Sequence, residues 1–154
     1  MTNQTNHTNH INKTAIITGA SRGIGAAIAK KLASCGYNLS LCCRNSSDRL
    51  NTLADELHCA YGIEVLCYTG NVGDFFFAKD MVTKTISHFG HVDVLINNAG
   101  ISHIGLLSDM TPEEWNNIVE INLTGVFNFT KLVIPYMAVS YTHLRAHETP
   151  EHLV

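Results

Sequence analysis

A doubly wound α/β domain, with a parallel sheet covered by helices on both faces, is predicted by three observations. Short apolar runs alternate with segments of helical period along most of the chain. The first run, Ala15-Ile16-Ile17, leads through Thr18-Gly19-Ala20-Ser21-Arg22-Gly23-Ile24-Gly25 straight into the helical pattern Ala26–Leu32. A later apolar run closes on Asn97-Asn98-Ala99-Gly100, small and polar enough to face a ligand across from the glycine-rich turn.

Taken in order, Thr14–Thr18 reads as the first strand and Gly23–Cys35 as its helix, stopped by Gly36. Asn38–Cys43 is the second strand. Ser47–Tyr61 follows as a helix with Leu50, Leu53, Ala54 and Leu57 on one face, ended by Gly62. Glu64–Tyr68 is the third strand, Asp74–Phe89 the third helix with Gly90 at its stop, and Val92–Asn97 the fourth strand. Thr111-Pro112-Glu113-Glu114 opens a further helix, with Thr111 as cap, Pro112 in the first turn and a glutamate where a capping box needs it. That helix is expected to run toward Pro135, with Trp115 and Ile118 packed in the core and Asp109 in the loop before it. Right-handed crossovers and a reversal of winding after the third strand give the strand order 3-2-1-4, with a crevice between strands 1 and 4.

At 154 residues, 45% of them hydrophobic, the chain has the size and composition of one globular domain. A net charge of −3 without a basic run argues against nucleic acid and anionic membranes as partners. The longest apolar stretches fall far short of a spanning helix and no signal core opens the chain, so a cytoplasmic location is expected. Residues 1–12 are almost wholly Thr, Asn, Gln and His and read as a disordered polar tail. Five cysteines show no paired metal spacing; Cys42 and Cys43 would face opposite sides of a strand, so no metal site is expected.

The glycine spacing reads as a dinucleotide phosphate cradle. Gly19 allows the tight turn, Gly23 the approach of backbone to ligand, and Gly25 the packing of the helix on the sheet, while the helix N-terminus offers free N–H groups to the pyrophosphate. The second strand ends Cys42-Cys43-Arg44, where an NAD site usually places an acid for the ribose hydroxyls. A guanidinium pairs instead with a 2′-phosphate, so Arg44, joined by Arg22 from the glycine loop, favours NADP(H) as cofactor.

Three motifs, Thr-Gly-x-x-x-Gly-x-Gly, Asn97-Asn98-Ala99-Gly100 and Glu120-Ile121-Asn122-Leu123-Thr124-Gly125-Val126-Phe127, together resemble the short-chain dehydrogenase/reductase family over roughly Lys13 to Met137. The resemblance implies a Rossmann-type sheet truncated after about four strands, filling residues 13–138. It also implies a cofactor held by Gly19, Ser21, Arg22, Gly23, Ile24, Gly25, Arg44, Asn71, Val72, Asn98, Ala99 and Gly100, with Asn122 as the active-site asparagine. Where the family often has an aspartate for the adenine, this chain has Asn71, whose carbonyl can still accept from the amine. Asn97 reads equally as a structural group at the strand end and as a ligand contact, and His103 is left open.

The segment Ala99–Trp115 resembles the 3-oxoacyl-carrier-protein reductase group, and also the bacterial relatives that reduce the aminopentanone modification of elongation factor P. The implied activity is reduction of a small or carrier-bound ketone to a secondary alcohol by NADPH, in a full-length parent that is a homo-oligomer. The family's Ser and Tyr-x-x-x-Lys have no match at their places. Tyr141-Thr142-His143-Leu144-Arg145 has the spacing but arrives too early and ends in arginine. Val139–Thr149 is similar to the translation of a transposase adapter, so 139–154 is expected to be a non-native tail, the natural chain continuing after about Ala138. Its histidines then carry no metal reading. A non-catalytic NADP-binding remnant is the rival expectation. In a chain that stopped there, Val92, Val94 and Ile96 would lie on an exposed, aggregation-prone edge.

Overall fold

A computed structural model describes residues 12–140 of the chain. The strands are β1 (Thr14–Ile17), β2 (Asn38–Cys43), β3 (Val65–Thr69) and β4 (Val94–Ile96); the intervening helices are α1 (Gly23–Ser34), α2 (Ser47–Tyr61) and α3 (Phe75–Phe89). The four strands form one parallel sheet in the order β3-β2-β1-β4, the order expected. After β4 come a 3₁₀ turn (Leu107–Asp109), α4 (Pro112–Val119), a π turn (Glu120–Thr124) and α5 (Gly125–Ser140).

Period-two alternation divides the interior into two cores. Ala15, Ile17, Leu39, Leu41 and Cys43 point toward α1 and α2, where Ala29, Ala33, Leu50, Leu53 and Leu57 close on them. Ile16 and Cys42 point the other way, to Met81 and Val82 of α3 and Phe129 and Val133 of α5. The adjacent Cys42 and Cys43 therefore lie in different cores. On the second face Ser40 meets Thr85 of α3 through a buried 2.7 Å hydrogen bond. Since Thr85 donates its only hydroxyl proton to the Met81 carbonyl, Ser40 must be the donor.

The structure departs from expectation at four places. β4 is three residues long; Val92 precedes it and is buried in the second core, while Val94 and Ile96 are half-buried. Trp115 is 54% exposed rather than core, because α4 buries none of its residues and lies outside both cores. The helix is not continuous, since the π turn interrupts it at Glu120. Finally, Pro135 sits inside α5 instead of ending it. Proline has no N–H to give the carbonyl one turn back, that of Lys131, which lies on the exposed side of the helix. The capping box forms as expected, with the Glu114 N–H donating to Thr111 Oγ1 and the Thr111 N–H to Glu114 Oε2.

Most of the polar tail and of the adapter-like segment, including Tyr141–Arg145 and the histidines after it, lies outside the described residues. Among the described residues no helix is long and apolar enough to cross a membrane, and no three metal-ligating side chains are grouped to hold an ion.

Candidate functional site

The carboxyl ends of β1, β2 and β3 and the loop after β4 open onto a cleft of about 480 Å³. Its walls include eleven of the twelve residues expected to hold a cofactor: Gly19, Ser21, Arg22, Gly23, Ile24, Arg44, Asn71, Val72, Asn98, Ala99 and Gly100. Gly25 lies beneath the wall. A Cβ there would stand 2.5 Å from the Gly19 carbonyl oxygen and 2.6 Å from Asn98 Nδ2, so its role is to let the helix start close under the loop and Asn98, a nearer neighbour than the sheet. Gly19 has φ +67°, and a Cβ on it would meet Ala99 Cα at 2.8 Å, so the turn requires glycine on both counts.

The first turn of α1 faces the cleft with its N-terminus open. Arg22 is the N-cap, yet no side chain caps the helix and no acidic residue stands in its first turn. The direction of the amides and of the helix dipole suits an anion. Arg22 and Arg44 are exposed on the cleft wall, which among the described residues holds no Asp or Glu. Arg44 Nη1 reaches Asn117 Oδ1 of α4 at 3.5 Å, a long contact that leaves the guanidinium's other donors available.

The asparagines of the site are mostly engaged with backbone. Asn98 Nδ2 donates to the carbonyls of Thr18 (3.0 Å) and Gly19 (3.1 Å), and Thr18 Oγ1 accepts from the N–H groups of Asn98 and Ala99 (both 3.0 Å). Those bonds fasten the loop after β4 to the glycine turn. Asn97 lies off the cleft wall and donates to Thr130 Oγ1 of α5 at 3.1 Å, as a structural group. Asn71 accepts from the Gly73 N–H (3.0 Å) and donates to Glu120 Oε1 (2.7 Å). Asn122, in the π turn, holds the backbone of Ile101 through both ends of its carboxamide.

Sequence reasoning missed several contributors. Cys43, Asn45, Ser46, Gly70, Ile101 and Ile121 also line the cleft. Asn128 of α5, only 2% exposed, donates to the carbonyls of Val72 (3.2 Å) and Gly73 (2.9 Å), clamping the loop after β3. His103 lies off the cleft wall with Nδ1 3.6 Å from Glu114 Oε1, and the Thr111 N–H, then the nearby imidazole, lowers the Glu114 pKa.

The pattern of one known family, described as short chain dehydrogenase, matches residues 13–143. A 3-oxoacyl-[acyl-carrier-protein] reductase of Staphylococcus epidermidis is 42% identical over 127 residues, covering 82% of this chain and 52% of the relative. A D-beta-hydroxybutyrate dehydrogenase of Cupriavidus necator is 38% identical over 125 residues, covering 81% of this chain and 48% of its own length. Among solved structures, an alcohol dehydrogenase of Thermococcus sibiricus complexed with 5-hydroxy-NADP superposes with a TM-score of 0.79 at 38% identity, over 83% of this chain and 54% of that one. The chain thus spans about half the length of the relatives it matches.

Proposed function

The chain belongs to the short-chain dehydrogenase family, and from that premise we propose that it is the cofactor-binding part of an NADPH-dependent reductase whose full-length form converts a 3-oxoacyl-type ketone to a secondary alcohol. The observation that carries the reading is a cleft walled by two arginines and no carboxylate at the open N-terminus of α1. A pyrophosphate fits at the α1 amides, and Arg44 and Arg22 suit the 2′-phosphate that distinguishes NADP(H) from NAD(H). The solved alcohol dehydrogenase it resembles carries an NADP derivative, which agrees with this assignment.

Bound in the cleft, the nicotinamide cofactor would supply the hydride. The chain's own groups hold it: Asn71 and the Val72 N–H at the adenine, the arginines at the ribose phosphate, and Ala99 and Gly100 beside the nicotinamide. The apolar side chains of Ile101 and Ile121 keep water from that end. Asn122 acts as a positioning residue, since its carboxamide is spent on the Ile101 backbone that forms the wall. The matched relatives differ in substrate while sharing this half, which points to residues outside it as the source of substrate choice. The 3-oxoacyl substrate, small or carrier-bound, follows the relative at 42% identity.

The test is a fluorescence titration of the chain with NADPH and NADH. Binding of NADPH at least about tenfold tighter than NADH is expected, the factor that one charge-assisted bond supplies. Equal affinities would overturn the NADP assignment, and no binding of either would overturn the site.

A further inference from the structure

We propose that Glu120 is a positioning residue that makes the cleft select a 6-aminopurine, acting through Asn71; the inference rests on the cofactor reading above and deepens it. Asn71 stands on the cleft wall at the end of β3, and its carboxamide has two chemically opposite ends that a half-turn would exchange. Glu120 Oε1 can only accept, and it takes a proton from Asn71 Nδ2 at 2.7 Å. The Gly73 N–H can only donate, and it gives to Asn71 Oδ1 at 3.0 Å. Exchanging the ends would set oxygen against carboxylate and N–H against N–H, so the orientation is fixed from both sides.

Glu120 is itself held in place. A Cβ on Gly73 would collide with Glu120 Cγ and lie 2.9 Å from the Glu120 carbonyl oxygen, so the loop after β3 is pressed directly onto this residue. Glu120 also begins the π turn that carries Asn122, which joins the adenine end of the cleft to the wall at Ile101 through one turn of chain.

The consequence is a fixed pattern of hydrogen-bonding groups. Asn71 Oδ1 keeps a second lone pair, and the Val72 N–H beside it meets no acceptor among the described residues. An acceptor next to a donor complements the N6–H and N1 of adenine. A 6-oxopurine presents the reverse order, and each of its groups would face one of like kind.

The experiment compares dissociation constants of the full chain for NADPH and for its hypoxanthine analogue, which differ only at that edge. Wild type is expected to prefer NADPH by about tenfold or more. Glu120→Lys replaces the acceptor by donors, and a charge-assisted bond from the ammonium to Oδ1 outweighs the neutral Gly73 N–H bond that opposes the turn, so the carboxamide reverses and the preference should fall to about threefold or less. Glu120→Gln retains an acceptor oxygen and should keep the wild-type preference; since Glu120 is exposed, it also serves as the folding control. A Lys variant that binds NADPH with undiminished base preference, or a wild type that binds both nucleotides equally, overturns the inference alone. Failure of the wild type to bind NADPH overturns the cofactor reading with it.

Discussion

Asn122 and Ile101 pair as two strands would: the Ile101 N–H donates to Asn122 Oδ1 at 2.9 Å and Asn122 Nδ2 donates to the Ile101 carbonyl at 2.8 Å. A side-chain amide has the same donor and acceptor as a peptide unit, so it completes an isolated backbone segment that no strand covers. Ile101 lines the cleft and Asn122 does not. The asparagine therefore shapes the site from behind, by holding the loop after β4 against the π turn.

Replacing Asn122 by Leu, similar in size, removes both bonds and hands the Ile101 backbone to water. With neutral hydrogen bonds contributing about 0.5–1.5 kcal/mol each, the loss should be about 1–3 kcal/mol in urea denaturation. Asn122→Asp keeps the acceptor but sets a carboxylate against the Ile101 carbonyl, and should be at least as costly. Wild-type stability in both variants would show that the pairing does not hold the loop.

Arg44 and Arg22 stand exposed on a wall without carboxylates. If they hold the 2′-phosphate, Arg44→Ala should weaken NADPH binding about tenfold to a hundredfold while leaving NADH within about twofold. Arg22→Ala should act in the same direction. Parallel weakening of both nucleotides would place the arginines at the pyrophosphate instead.

How far the sequence reaches is visible in these residues. Strand order and the cleft wall were legible because glycine turns, apolar runs and right-handed crossovers leave few arrangements, and 3-2-1-4 brings Thr18–Gly25 beside Asn98–Gly100. The partners of the polar groups were not. Asn98, Asn71 and Asn122 have the same side chain, and only tertiary contacts decide that one fastens a turn, one meets Glu120 and one mimics a strand. The π turn was hidden because the apolar spacing reads as helical on either side of it. Asn128 did leave a signal, a lone polar residue on the buried stripe of Ile121, Phe129 and Val133, whose two carbonyl partners lie 55 and 56 residues away.

Ser40 and Thr85 share a buried side-chain hydrogen bond between the sheet and α3. Thr85→Val preserves shape but leaves the Ser40 hydroxyl without a partner in an apolar core, at an expected cost of about 1–3 kcal/mol. Adding Ser40→Ala removes the orphaned group, so the double variant should lose less than the two single losses combined. Strict additivity in the double-mutant cycle would show that the hydroxyls do not interact.

Cys42 gives the fold a definite response to alkaline pH. Its thiol is fully buried in the second core, and burial pushes its pKa from the ordinary 9.0 up to about 12, against the opposing pull of the Gly19 N–H. Cys67, half-buried in β3, is pushed up to about 11, again first by burial. In the unfolded chain these thiols release their protons near 9.0, while in the folded chain they keep them. The unfolded state therefore binds fewer protons above that point, and stability falls as pH rises toward the folded values. One thiol contributes at most about 1.4 kcal/mol per pH unit in that window and nothing below it. Tyrosines and lysines titrate nearby, so the clean measurement is the stability difference between wild type and Cys42→Ala in urea at about pH 8 and about pH 10.5. The variant loses packing at both, but it lacks the titrating thiol, so the gap should narrow at the higher pH. A gap that stays constant would mean that Cys42 ionises as freely in the fold as out of it, and that its place under the glycine turn is open to water.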